Sequence, residues 1–242
     1  MLLQEACIDV PHRLRGLGMA CTAKGNRLRI SVDLNHARCE AKRVHHLLTT
    51  LRRRHDLSRF EYTKRVRIAP GSETFSHPIL TLGNRFAESE DLLLSTYLHE
   101  QMHWYLWYLE TPRYDPIAPF FDELVRRYPM APIELPDGAR SYEATYVHLV
   151  VNWLEIAATA TFIGRHRALH LAERQRSYRW IYRTVVRDWD ALGELYAHHG
   201  IVPIRTADEL EAQKLPRQAR AQRRRAKKSR SSALALISSI PP

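Results

Sequence analysis

His99, Glu100 and His103 stand as H-E-x-x-H within "STYLHEQMHWYL", residues 95–106. Four residues along an α-helix advance about 40° in azimuth, so the two imidazoles stack on one face, one turn apart. Such a pair can hold one tetrahedral zinc ion, with Glu100 close enough to act on the water that the ion activates. Zinc lowers the pKa of that water to about 7, and the glutamate accepts its proton and passes it to the leaving group. Neutral nitrogen ligands keep net positive charge on the metal, and a carboxylate suits the proton shuttle. Thr96, Tyr97, Leu98, Gln101, Met102, Trp104 and Tyr105 flank or fill the motif, and none is charged or proline. A dry, uninterrupted helix strengthens metal–ligand electrostatics and holds the geometry. The competing reading is an aromatic-rich core helix whose histidines make ordinary hydrogen bonds.

The motif needs a helix, and the surrounding pattern supplies one. Ser89, followed by Glu90 and Asp91, starts it, because a hydroxyl cap and acids in the first turn satisfy free amides and the helix dipole. It runs to about Glu110, and Pro112 ends it. Upstream, 26–34 alternates through Leu28, Ile30 and Val32 as a strand does, and 62–70 repeats the pattern with Val66 and Ile68. Between them Ala41, Val44, Leu47, Leu48 and Leu51 recur at helical spacing over 40–54. A short apolar strand falls in 77–86, closed by Gly83-Asn84, and its 77–82 edge could receive a peptide substrate. Downstream, a short helix is expected around 119–128. Residues 141–164 read as one long helix or as a strand feeding a helix, and 177–198 as a further helix ending at Gly200. Strands first and helices later give an α+β fold, with a small antiparallel or mixed sheet followed by a helical core bearing the H-E-x-x-H helix.

Residues 76–110 resemble the catalytic core of the zincin metallopeptidases, possessing that family's two ligand histidines, His99 and His103, and its base, Glu100. The resemblance implies a zincin-like helical core, bound Zn2+ and hydrolysis of a peptide or protein substrate. The metzincin subgroup would need glycine at 106 and histidine at 109, where this chain has Leu106 and Leu109, so the third ligand must lie further on. In "YVHLVVNWLEIAATA" two candidates stand seven residues apart, His148 and Glu155, and on a continuous helix they share a face with Asn152 between them. Glu155, with Ala157, Ala158 and Ala160 behind it, resembles the gluzincin pattern, although Thr159 occupies a position where that subgroup has an acid. His148 would instead give a three-histidine site with Glu155 as partner of a ligand imidazole. Glu143 is a weaker third option, better read as a helix-start acid. Tyr142 and Tyr146 are near enough in sequence to offer a phenol to an oxyanion.

At 242 residues, 45% hydrophobic and 26% charged, the chain has the composition of a globular protein with one good-sized core. No run reads as a membrane span, and no signal peptide is evident, since Glu5 and Asp9 interrupt the start. Cys7, Cys21 and Cys39 include no C-x-x-C pair, which favours a reducing compartment over a disulfide framework; a cytoplasmic location is expected. The net charge of +11 is a tail property: residues 214–230 hold nine of the 37 basic residues and no acid, leaving 28 basic against 26 acidic. The expected organisation is one catalytic domain over 1–205 and a basic, disordered tail over 206–242. Nucleic acid could be met only through that tail. "HARC", with His36 and Cys39, lacks a second half for a metal site, and the histidines of "RVHHLLTTLRRRH" read as a solvated helix face. Two rival readings accompany the metallopeptidase. One is a DNA-associated protease similar to the SprT-like proteins, tethered by the tail, against which no zinc-ribbon segment follows the motif helix. The other is a non-catalytic binding module of the same fold, for which Glu100 would have no use.

Overall fold

The computed structural model describes residues 28–34, 37–85, 89–109 and 117–214; Cys7, Cys21, His36 and the stretch 215–242, each given an expectation above, lie outside them. Two compact units divide the chain. One takes the described residues up to Arg54 together with Thr63–Leu94, and the other takes His55–Tyr62 and everything from Ser95 onward.

The first unit holds the sheet. Strand β1 (Arg29–Val32), helix α1 (Arg38–Arg54), β2 (Arg65–Ile68) and β3 (Leu80–Leu82) follow one another. The strands lie in the order β1-β2-β3, and both pairs are parallel, with Ile30 opposite Val66 and Arg67 opposite Thr81. This corrects the expected antiparallel or mixed sheet. A 17-residue helix between two strands leaves room only for a crossover, which returns the chain in the same direction. In β2 the periodicity of two is clean: Val66 and Ile68 are buried, Arg65 and Arg67 exposed. Helix α1 buries Ala41, Val44, Leu48 and Leu51 of the stripe its spacing foretold, while Leu47 is only half-buried. The edge expected to receive a substrate is occupied at its centre, because Thr81 exchanges backbone hydrogen bonds of 2.8 and 3.1 Å with Phe75 of its own chain. Cys39 is disulfide-bonded, against the expectation drawn from cysteine number.

Helix α2 (Glu90–Leu109) carries the motif and passes from the first unit into the second. Ser89 caps it as expected, accepting from the Leu92 amide at 3.4 Å. In the second unit follow α3 (Ile117–Arg127), α4 (Tyr142–Ile163), α5 (Arg165–Glu173), α6 (Arg179–Arg187), α7 (Trp189–His198) and α8 (Ala207–Lys214). The fold is therefore α+β, with eight helices among the described residues and one small parallel sheet.

Of the two readings of 141–164, the single helix holds. Ser141 caps it by accepting from the Ala144 amide at 3.0 Å, and Gly164, at φ 85°, ends it where a side chain would be strained. By length and composition α4 could cross a membrane, contrary to the expectation that no run reads as a span; 61% of its apolar stretch is buried within the protein, as for a core helix. The helix expected over 177–198 is broken at Asp188, whose carboxylate takes the Tyr128 hydroxyl at 2.8 Å. The start of the expected tail is ordered: Thr206 and Glu209 form a reciprocal cap, and α8 buries Leu210.

Candidate metal centre

Helix α2 is buried all round from Leu93 to Met102, so its polar residues in that span all need partners from protein. On one side Gln101 accepts from the Tyr62 amide at 2.8 Å and donates to the Tyr97 hydroxyl at 3.1 Å, which donates to Glu61 at 3.0 Å. These bonds set the rotation of the helix. They leave Ser95, His99 and His103, spaced by four, on another stripe.

Helix α4 is held as firmly. Trp153 stacks on Trp189 with ring centroids 4.6 Å apart and donates from Nε1 to the Trp189 carbonyl at 3.0 Å. Tyr196 donates to the Leu149 carbonyl at 3.1 Å. The preceding loop folds tightly over Gly138, where a Cβ would come within 2.1 Å of the Pro132 carbonyl oxygen, so only glycine fits. A single stripe of α4 then carries His148, Asn152, Glu155 and Thr159. Both amide atoms of Asn152 and the Thr159 hydroxyl are buried with no partner among the described residues, a polar stripe that a purely apolar core helix would not keep.

The two stripes converge. His99, His103 and His148 each offer a ring nitrogen, and the three atoms lie within 4.8 Å of one another. His99 Nε2 and His103 Nε2 are 3.3 Å apart. Two bare lone pairs at that distance repel, so a proton or a cation belongs between them. For a tetrahedral ion with metal–nitrogen bonds of about 2.0–2.1 Å, the ligand–ligand edge is about 3.3 Å. The tautomers also suit a metal. His148 Nδ1 lies 2.7 Å from the Ala144 carbonyl, which can only accept, so Nδ1 carries the proton and Nε2 the lone pair. Burial, with the charge of His99, pushes the His148 pKa down to about 4 and keeps the ring neutral.

Glu155 does not join the three nitrogens. Its Oε2 lies 2.9 Å from His99 Nδ1 and accepts from the Tyr182 hydroxyl at 2.7 Å, while Oε1 accepts from Ser95. A carboxylate holding three donors on the outer side of His99 fixes that ring and leaves Nε2 facing the other histidines. Burial opposes charge on His99, but the hydrogen bond and charge of Glu155, aided by Glu100, outweigh it and raise its pKa. The negative charge of Glu155 and Glu100 that favours a proton on His99 also favours a cation near Nε2.

Glu100 is buried, 6% exposed, and follows His99 on the helix. Burial pushes its pKa up to about 7, against the opposing charge of His99 and with help from Glu155. A carboxylate poised there can both take and return a proton at neutral pH.

Three site residues escaped the sequence reading. Ser95 and Tyr182 hold Glu155; Tyr178 packs its ring 4.3 Å from that of His148 and stacks parallel on His99 at 6.4 Å. Their signal was present as spacing of four, Ser95 before His99 and Tyr178 before Tyr182. The tyrosines expected to serve an oxyanion lie elsewhere. Tyr146 gives its hydroxyl to the Tyr128 carbonyl at 2.8 Å, and Tyr142 is exposed. Glu143 is an exposed first-turn acid, as expected. Compared with protein-family models, curated proteins and solved structures, the chain matches none.

Proposed function

We propose that this protein is a zinc-dependent hydrolase, a metallopeptidase of zincin-like construction, with His99, His103 and His148 as metal ligands and Glu100 as general base. The convergence of three histidine nitrogens within 4.8 Å, with a buried glutamate beside the first of them, carries this reading. The donor set fits zinc: three imidazole nitrogens, outer ring nitrogens directed to oxygen acceptors at His99 and His148, and an edge of tetrahedral length. Zinc bound there would supply a Lewis acid that polarises a substrate carbonyl and lowers the pKa of water to about 7.

The chain's own groups then divide the labour. Glu155, held by Ser95 and Tyr182, keeps the His99 ring oriented and its Nδ1 protonated. Glu100 accepts a proton from the attacking water and returns it to the leaving amine, for which a pKa near 7 is suited. The buried surroundings from Leu93 to Met102 keep bulk water from screening these charges.

The test is metal content together with hydrolysis of casein or a quenched-fluorescence peptide mixture. Wild type should bind one zinc per chain, and His99→Ala, His103→Ala and His148→Ala should each lose it. Glu155→Gln should retain the stoichiometry at saturating zinc but bind 10- to 100-fold more weakly, about the cost of losing an outer partner of a ligand histidine. Glu100→Gln should keep the metal and lose hydrolysis. A wild-type protein that takes up no zinc, or an active Glu100→Gln variant, would contradict the proposal.

A further inference from the structure

The stripe of α2 that carries Ser95, His99 and His103 continues to Trp107, four residues beyond His103 and seven beyond Glu100. On a helix Trp107 therefore lies only about 20° in azimuth from Glu100 and about 6 Å along the axis from His103. Unlike the buried residues before it, Trp107 is 52% exposed. It is also braced: its ring meets those of Trp104 and Tyr108 edge to face, each at 5.6 Å. Trp104 and Tyr108 are themselves half-buried, so the exposed indole rests on anchored neighbours rather than swinging freely.

An exposed tryptophan that other aromatic rings hold in place, one helical turn from the metal-binding histidines, has the character of a platform. We infer that Trp107 is a specificity-determining residue that receives a bulky apolar side chain of an extended peptide substrate, two residues from the reacting carbonyl. The inference rests on the metal centre proposed above. Its geometric basis is a match of lengths. Alternate residues of an extended chain are about 6.6 Å apart, close to the single helical turn that separates His103 from Trp107. A peptide with its carbonyl at the histidines and its backbone along α2 thus brings its second side chain over the indole. Burying a leucine-sized group on such a surface favours it over glycine by about tenfold or more.

The test uses zinc-loaded, full-length protein and pairs of peptide hydroxamates that differ only in carrying Leu or Gly, placed on either side of the hydroxamate. Dissociation constants come from calorimetry, so the readout does not depend on turnover. In wild type, one pair should favour Leu by about tenfold or more. Trp107→Ala should reduce that preference to within about twofold while leaving the affinity of the Gly member unchanged. Retention of the preference in Trp107→Ala, or no preference in any pair, would overturn the inference while zinc content stands. If wild type takes up no zinc, the metal reading fails and the inference falls with it. Sedimentation of the same two proteins covers the other occupant of such a patch. Self-association abolished by Trp107→Ala, with the Leu preference intact, would make this face a contact between copies of the chain and overturn the inference.

Discussion

A carboxyl group buried as deeply as that of Glu100 opposes folding whenever it ionises. Its pKa stands near 7, whereas in the unfolded chain it stands near 4.5. Between those values the unfolded chain has released the proton and the folded protein still holds it, so stability falls as pH rises through that window. Above 7 both states are ionised and the penalty is constant. His148 acts in the opposite sense. Its folded pKa of about 4 lies below the ordinary 6.5, so the unfolded chain binds the extra proton between those values and stability rises with pH there. The two slopes offset one another in the wild-type profile. A difference measurement separates them: in chelator-treated protein, Glu100→Gln should gain stability over wild type as pH rises from 4.5 to 7, levelling off at up to about 3 kcal/mol. Urea midpoints at several pH values check this. A gain independent of pH would mean that the carboxyl group is solvated and no proton-transfer residue.

The elements that hold the site are legible in the sequence to different depths. Helix α2 could be read from Ser89 to its end because cap, acids and the apolar run agree. Helix α4 was ambiguous because a segment apolar on all sides has no period to distinguish strand from helix. In the folded chain it is one helix, capped by Ser141, ended at Gly164 and held by Trp153 on Trp189 and Tyr196 on the Leu149 carbonyl. Tyr178 shows the limit of pattern reading. As one of a run of apolar positions it looks like core, yet it stands at the N-terminus of α6 with φ 57°, a left-handed conformation that costs a tyrosine about 1 kcal/mol or more. Glycine accepts that conformation freely. Tyr178→Gly should therefore leave the unfolding free energy within about 1 kcal/mol of wild type, relief of strain offsetting lost ring contacts. It should still weaken zinc binding, since the ring packs on His148 and His99. A loss of more than about 2 kcal/mol with unchanged zinc affinity would make Tyr178 a core residue after all.

For the molecule as a whole, a metal held by histidines from α2 and α4 joins residues 45 or more positions apart, and no such site exists in the unfolded chain. Metal binding is then coupled to folding. With free zinc at a hundred times its dissociation constant, the folded state should gain about 2.7 kcal/mol, a rise in melting temperature of roughly 5–10 °C for a chain of this size. Scanning calorimetry with zinc and with chelator measures it. The rise should vanish in His148→Ala; a rise that persists there would place the metal elsewhere.

From the sequence alone came the outline of the proposed site: two imidazoles one turn apart, a glutamate between them, and Leu106 and Leu109 where a close third ligand would have to stand. Those follow from helical spacing, which is local. The α+β class also follows from the order of its elements, while the sheet's direction does not follow from the alternation within each strand: it depends on α1 serving as a crossover between β1 and β2. Only the tertiary structure separated His148 from Glu155. On one helix face the two are equivalent by periodicity, and sequence spacing says nothing about what packs opposite each. The opposing stripe of α2 brings His148 to the His99 and His103 nitrogens, whereas Ser95, Tyr182 and the far side of the His99 ring surround Glu155. A side chain's role there is set by its partners across the helix interface, which the packing of the folded chain decides.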